Sequence, residues 1–127
     1  MTITHLMGMQ SITNDADLEQ SLLTRNAEAQ NAFELQHDSD FPILNLLVHN
    51  NDWVAYYFLK PDHAGYVSCA PLEHSDSVEL CNFLTTSEGD QVWIPRNRVV
   101  CSRLAGEVAK CFRSTRGMTH LIDWLEL

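Results

Sequence analysis

The chain has 127 residues, of which 45% are hydrophobic and 20% charged, so it has the length and composition of one folded domain rather than two. This composition excludes collagen-like, coiled-coil and disordered chains. Seventeen acidic residues against eight basic ones give a formal net charge of −9, which argues against nucleic acid or an anionic bilayer as the main partner and favours a basic one.

The N-terminal residues and the cysteines indicate a soluble, cytoplasmic protein. The first residues lack the positive charge and the long apolar run of a secretory signal peptide. The longest apolar stretch, from Trp53 to Leu59, is far shorter than the ~20 residues of a membrane-spanning helix. The four cysteines lack the close pairs of a zinc site or the density of a disulfide scaffold. We therefore expect reduced thiols, no metal and no cofactor.

The first third of the chain predicts an edge strand, a helix and a second strand. Residues Met1 to Ile12 alternate weakly between apolar and polar types, which indicates a strand at a sheet edge. Asn14 is a suitable N-cap for a short amphipathic helix from about Asp15 to Ala27, whose acidic first turn suits the helix dipole. Ala32 to Gln36 alternates as a half-buried strand does and is followed by an acidic turn, residues 37–40.

The middle of the chain predicts a hairpin and a third strand beside it. Ile43 to His49 and Trp53 to Leu59 are strand-like, and three turn-forming residues separate them. The second of these strands is apolar throughout, so we expect both of its faces to be covered at the centre of a sheet. Tyr66 to Ala70 extends this meander, and Pro71 ends it.

The C-terminal part is less regular. Leu72 to Asp90 fits either a short strand or a helical turn before a loop, and Val92 to Pro95 fits a brief strand. Ser102 is expected to cap a helix that Gly117 ends, and Leu121 to Leu127 predicts a last strand. Together these elements predict one α+β domain over residues 1–127, with a mainly antiparallel sheet of about five to seven strands and two or three helices packed on it.

Charge is unevenly distributed along the chain. From Met1 to Pro95 there are fourteen acidic and two basic residues, a net of −12, whereas the residues from Arg96 onward carry a net of +3. Between Lys60 and Arg96 there is no Lys or Arg at all. A surface of one sign repels itself, which favours a binding role, although such charge can also serve solubility alone.

The sequence contains no recognisable catalytic motif. No two of the six histidines have the helical i, i+4 spacing of a metal site, and phosphate-binding glycine loops are absent. His74, Ser75 and Asp76 are consecutive, but neighbouring side chains point in different directions, whereas a catalytic triad is assembled from separate segments. Asp38 and Asp40 fit an exposed turn better than an acid–base pair. We therefore expect no enzymatic activity.

Two aromatic residues at strand ends are candidates for a binding role. Trp53 begins a predicted strand and Trp93 lies in a short one, so either ring could be core or partly exposed. An exposed aromatic ring bordered by carboxylates is typical of high-affinity protein interfaces, since the ring anchors the complex and the charges steer it.

Part of the chain resembles a known family. Phe41-Pro42-Ile43-Leu44-Asn45, followed by Asn50 and then Val54-Ala55-Tyr56-Tyr57, is similar to immunity protein family one of bacterial polymorphic toxin systems. Val108-Ala109-Lys110-Cys111-Phe112 resembles the late helix of that family, and Trp124-Leu125-Glu126-Leu127 resembles its closing W-x-E-L. Within the family, the chain is most similar to immunity proteins that neutralise interbacterial DNA cytosine deaminase toxins.

The resemblance implies a small α+β fold without enzymatic activity or cofactor. It also implies a 1:1 complex with a cognate toxin domain, in which the immunity protein keeps nucleic acid from the toxin's active site. The matched residues are strand and helix positions, so the resemblance transfers no binding residue.

The binding surface therefore has to be predicted from charge and exposure. A toxin that acts on DNA needs a positive substrate groove, and carboxylates can occupy such a groove in place of phosphates. The predicted toxin-binding residues are Asp38, Asp40, Asp52, Asp62, Glu73, Asp76, Glu88 and Asp90, together with Trp53 or Trp93.

Two other classes of function remain open. Type III secretion chaperones are also small, acidic and α+β, and they usually dimerise around an extended effector segment. An enzyme could use histidines such as His37, His49, His63 and His74 with nearby aspartates.

Overall fold

In the computed structural model, which describes residues 1–71 and 79–127, a seven-stranded sheet carries two helices on one face and a strand hairpin on the other. The elements are β1 (Thr2–His5), β2 (Gly8–Ser11), α1 (Asp15–Leu22), β3 (Gln30–Gln36), β4 (Ile43–His49), β5 (Asp52–Phe58), β6 (Tyr66–Cys69), β7 (Leu80–Leu84), β8 (Gln91–Pro95), α2 (Ser102–Thr115) and β9 (Asp123–Glu126).

The spatial order of the main sheet is β2-β1-β3-β4-β5-β6-β9, and every neighbouring pair is antiparallel. β7 and β8 form a separate two-stranded sheet. The predicted single α+β domain with a mainly antiparallel sheet is confirmed, and the described residues contain nine strands and two α-helices.

The helices cover the first face of the main sheet. On β4, Leu44, Leu46 and Val48 alternate onto this face and are almost fully buried. Leu18 of α1 and Phe112 of α2 pack against them, both fully buried. Full burial of a side chain such as Phe112 contributes on the order of 2–3 kcal/mol, so this layer contains much of the stabilising apolar contact.

The β7–β8 hairpin covers part of the second face. Leu47 and Val54 point to this side and pack with Phe83 and Ile94 of the hairpin in a second hydrophobic core. This explains why the residues of β5 from Trp53 to Phe58 are all apolar or aromatic: alternate residues face the helices and the side of the sheet that carries the hairpin.

The N-terminal third differs from its prediction in two ways. Residues Met1 to Ile12 turn back at Leu6 and Met7, before Gly8 begins β2 with φ of +155°, and form two strands instead of one. The first helix ends at Leu22 rather than near Ala27. The amide oxygen of Asn26 accepts hydrogen bonds from the backbone N–H groups of Glu28 and Gln30, so local side-chain bonding replaces further helical bonding.

Both predicted boundaries of the second helix are wrong by one residue. Cys101 occupies the N-cap position, and Ser102 is the first helical residue. The hydroxyl of Ser102 instead accepts a hydrogen bond from the Trp53 indole, 3.1 Å away. At the other end Arg116 adopts the left-handed conformation, with φ of 62°, one residue before Gly117.

Candidate protein-binding surface

The hairpin of β7 and β8 places one large aromatic ring in solvent. Phe83 and Ile94 point inward to the second core, so alternation directs the residues between them outward. Trp93 is 61% exposed, and Leu80, its diagonal neighbour, is 54% exposed. The outward-facing residues, which we call the outer hairpin face, are Leu80, Asn82, Gln91, Trp93 and Pro95.

Polar contacts hold this hairpin against the main sheet. The Nδ1 atom of His49 lies 2.9 Å from the Asn82 carbonyl oxygen, and the backbone N–H of Leu84 donates to Oε1 of Gln30, also at 2.9 Å. Both bonds reach from the outer edge of β7 to β4 or β3. Trp93 therefore lies on a hairpin that is bonded to the main sheet rather than on a free loop.

Arg96, directly after β8, adds a charged contact at one end of the hairpin. Its guanidinium lies 2.9 Å from Oδ1 of Asp52 and 3.4 Å from Oε1 of Glu79. The hydrogen bond to Asp52 raises the pKa of Arg96. Asp52, a predicted toxin-binding residue, is thus half-buried in an ion pair within the protein.

Two other predicted residues, Glu88 and Asp90, lie in the loop that joins β7 to β8. Oδ2 of Asp90 accepts a hydrogen bond from the Thr86 hydroxyl at 2.8 Å, and the Asp90 carbonyl accepts one from Thr85 N–H. These bonds shape the tight loop. Glu88 is exposed and has no ion pair within the described residues.

The remaining described carboxylates of the prediction lie elsewhere. Asp38 and Asp40 occupy the β3–β4 turn, and Asp62 lies in the β5–β6 connection at the same end of the sheet. Asp52 lies at the opposite end of β4, a separation of roughly 20 Å for seven strand residues. A backbone hydrogen bond and then the charge of Arg116 lower the pKa of Asp38. The structure therefore does not bring the predicted carboxylates into one patch.

Of the two rings predicted as alternative binding anchors, Trp53 is a core residue, so its inclusion among the toxin-binding residues is wrong. Its side chain is 3% exposed and belongs to the first core. The ring stacks on Phe33 with centroids 5.8 Å apart, and the guanidinium of Arg25 lies 5.0 Å from its centre. The alternation of β5 turns Trp53 toward the helices, so of the two candidate anchors Trp93 is the accessible one.

Two predicted residues, Glu73 and Asp76, lie outside the described residues, as does the rest of the His74-Ser75-Asp76 sequence.

The positive charge of the C-terminal part largely faces carboxylates of the N-terminal part. The pairs across the helical side are Lys110 with Glu19 at 2.6 Å, Arg113 with Asp15 at 2.8 Å, and Arg116 with Asp38 at 3.1 Å. These contacts balance charge on the helical side.

Four of the five histidines in the described part of the chain, His5, His37, His49 and His63, make structural contacts. Nε2 of His37 lies 2.9 Å from the Phe112 carbonyl oxygen, and Nε2 of His63 lies 2.7 Å from a carboxylate oxygen of Glu126. Among residues 1–71 and 79–127 there is no group of three His, Cys, Asp or Glu side chains arranged to hold a metal ion.

Sequence reasoning missed the apolar neighbours of Trp93. Leu80 and Pro95 face each other across the hairpin on the same side as the ring. Residues Leu80 to Phe83 alternate between more exposed and buried positions, as a strand does. Only the register of β7 with β8 shows that Leu80 and Pro95 share the face of Trp93.

No protein-family model matches this chain, and no curated protein is similar enough to it to count as a relative. Within the described ranges, neither helix has the length and apolar character needed to cross a bilayer.

Proposed function

We propose that this protein is an immunity protein that binds a cationic toxin domain and blocks its access to nucleic acid. A cytosine deaminase toxin is the partner that the family resemblance favours. The observation that carries the proposal is the exposure of Trp93 on the outer hairpin face, beside Leu80, on a hairpin whose loop carries the exposed residues Glu88 and Asp90. The protein would act in the cytoplasm, stoichiometrically and without a cofactor.

Aromatic anchors supply much of the affinity of protein interfaces. A tryptophan ring that becomes buried on binding removes a large apolar area from water, and such residues are frequent among binding hot spots. Trp93 lies on a hairpin that side-chain contacts hold to the sheet. Because the hairpin is already held in place before association, binding costs little conformational entropy, which favours high affinity.

Electrostatics favours a basic partner. The net charge of −9 raises the encounter rate with a cationic domain, and Glu88 and Asp90 place two exposed carboxylates at the loop end of the hairpin. A domain that acts on DNA has a positive groove, which carboxylates can enter in place of phosphates. Nucleic acid itself would be repelled.

Co-expression with the cognate domain tests the proposal. In the genome of origin, we expect the neighbouring reading frame to encode a large secreted protein that ends in a compact basic domain. The two chains should co-purify as a 1:1 complex by size-exclusion chromatography with light scattering. An equimolar amount of this protein should also reduce cytosine deamination of single-stranded DNA to background.

Other results would contradict the proposal. The proposal would be wrong if the neighbouring reading frame encoded a strongly anionic domain, or if its basic domain did not bind this protein. A dimer that binds only an extended, unfolded segment would favour a secretion chaperone instead.

A further inference from the structure

The hairpin leaves part of the second sheet face open, and a groove of about 450 Å³ lies there beside β8. Its floor includes three residues side by side on neighbouring strands: Glu34 pairs with Asn45, and Asn45 pairs with Tyr56. We call Glu34, Asn45 and Tyr56 the floor row. Val92 of β8 contributes to the wall of the groove.

The free edge of β8 borders this groove. The Leu84 N–H and the Asn82 carbonyl both bond to side chains of the main sheet, so they point away from β8. Their partners Gln91 and Trp93 therefore form non-hydrogen-bonded pairs in the ladder and direct their own backbone N–H and C=O groups to the opposite edge. In the described part of the chain, β7 is the one strand that pairs with β8.

The direction of the hairpin places this edge along the floor row. Asn82 contacts His49 of β4, and Leu84, two residues later, contacts Gln30 of the adjacent strand β3. The hairpin thus crosses the main strands instead of running along them. A further strand added to β8 would lie over the floor row, with alternate side chains directed into the groove.

The floor row is chemically suited to an arginine side chain. Glu34 is exposed and has no ion pair within the described residues, and the side-chain amide of Asn45 makes no hydrogen bond there, with its Oδ1 atom buried. Tyr56 stacks with Phe58, centroids 6.4 Å apart at 10°, which offers aromatic surface to a guanidinium.

No Lys or Arg of the described residues lines the groove. His5 also lines the groove, and burial lowers its pKa, which disfavours its charged form. The charge of Arg98 partly opposes the rise in the pKa of Tyr56 that burial causes. Arg98 does not line the groove, so the carboxylate of Glu34 is not neutralised there.

We infer that the cationic partner adds an extended segment to the free edge of β8 and directs an arginine into the groove toward Glu34. Backbone hydrogen bonds with Gln91 and Trp93 would hold the segment, and apolar side chains two residues away would cover Tyr56. The inference names the partner chemistry of the proposed function and rests on it, but it can be tested without the toxin domain.

The test uses a synthetic hexapeptide, TRTVTV, blocked at both ends, whose arginine and valines lie on one side of an extended strand. Titration is followed by ¹H–¹⁵N NMR on the intact protein. We expect saturable shifts and slowed amide exchange at Gln91 and Trp93. The arginine peptide should bind at least about fivefold more tightly than the peptide with glutamine in its place, the effect of one partly exposed ion pair.

Three variants locate the interaction. Glu34→Gln should abolish the preference for arginine, whereas Glu28→Gln, an exposed carboxylate outside the groove, should preserve it. Gln91→Pro removes an outward N–H without removing a backbone hydrogen bond to β7, and it also removes the 3.0 Å side-chain bond that Asn82 donates to Oε1 of Gln91. It should weaken every peptide. Their NMR spectra show whether each variant keeps the fold.

Several outcomes would overturn the inference: no saturable shift at Gln91 and Trp93 at millimolar peptide, an arginine preference that survives Glu34→Gln, or a free protein already dimerised with these amides protected. The last result would assign the edge to a second copy. If the toxin complex forms while the peptide test fails, the proposed function stands and strand addition alone is wrong.

Discussion

The indole N–H of Trp53 donates a hydrogen bond to the Ser102 hydroxyl, 3.1 Å away, and so joins the main sheet to the first turn of α2. Phe33 stacks on the same ring, and Arg25, just after α1, lies over it. One side chain therefore contacts the sheet and the ends of both helices, which makes it a structural centre rather than a binding anchor.

Replacing Trp53 should destabilise the fold. We expect Trp53→Ala to lower the free energy of unfolding by about 3–5 kcal/mol, since it removes a fully packed aromatic ring and leaves a cavity. Urea denaturation followed by circular dichroism measures this change. Trp93→Ala is the matched control and should cost less than about 0.5 kcal/mol, because its ring is mostly in solvent. Equal losses for the two variants would contradict the assignment of core and surface.

Replacing Trp93 should weaken toxin binding without affecting the fold. A buried aromatic anchor contributes about 2 kcal/mol or more, so we expect Trp93→Ala to raise the Kd of the complex about 30-fold. Isothermal titration calorimetry with the basic domain gives this value. Leu23→Ala, a large exposed side chain next to α1, should leave the Kd unchanged. If Leu23→Ala weakened binding more than Trp93→Ala does, the interface would lie on the helical side instead.

The position of the carboxylates should decide their effect on association rate. We expect the pair Glu88→Gln and Asp90→Asn to slow association by about threefold or more at low salt and to reduce its salt dependence. The pair Asp38→Asn and Asp40→Asn, beyond the far end of β3, should have a smaller effect. Stopped-flow measurements at several salt concentrations compare the two, and the reverse order would place the contact zone at the β3–β4 turn.

The last strand should show an acid-dependent contribution to stability. Hydrogen bonds from His63 and then Tyr66 lower the pKa of Glu126 below its ordinary value of 4.5. A lowered carboxyl pKa in the folded state stabilises the fold above the unfolded pKa, and this contribution is lost as the pH falls through the folded value. Glu126→Gln should therefore lower Tm at neutral pH but not at a pH below the folded pKa.

The control for this pH experiment is Asp123→Asn on the same strand, which has no ion pair within the described residues. It should change Tm little at either pH. A Glu126→Gln effect that persists unchanged in acid would mean that the carboxylate charge is not its source.

Short-range features of the fold were predictable because their causes lie within a few residues. Ile43–His49 forms a strand with the predicted bounds, and Asn14 caps α1 through its side chain, which accepts from the Asp17 N–H at 2.8 Å. The turn-forming residues between β4 and β5 likewise predicted the antiparallel hairpin that these two strands form. Alternation, caps and turns are local preferences, so a linear reading finds them.

The binding surface depends on contacts between distant segments, and a linear reading could not place it. Trp53 and Trp93 both lie near strand ends, yet burial under the helices makes one a core residue while the outward side of a small hairpin exposes the other. The carboxylates predicted to bind the toxin lie at different ends of the sheet, and one of them, Asp38, is paired with Arg116 just after α2. Composition and periodicity determined the class of fold and the net charge. Which side chains a partner can reach was decided by layer packing and strand register, because both depend on contacts across the whole domain.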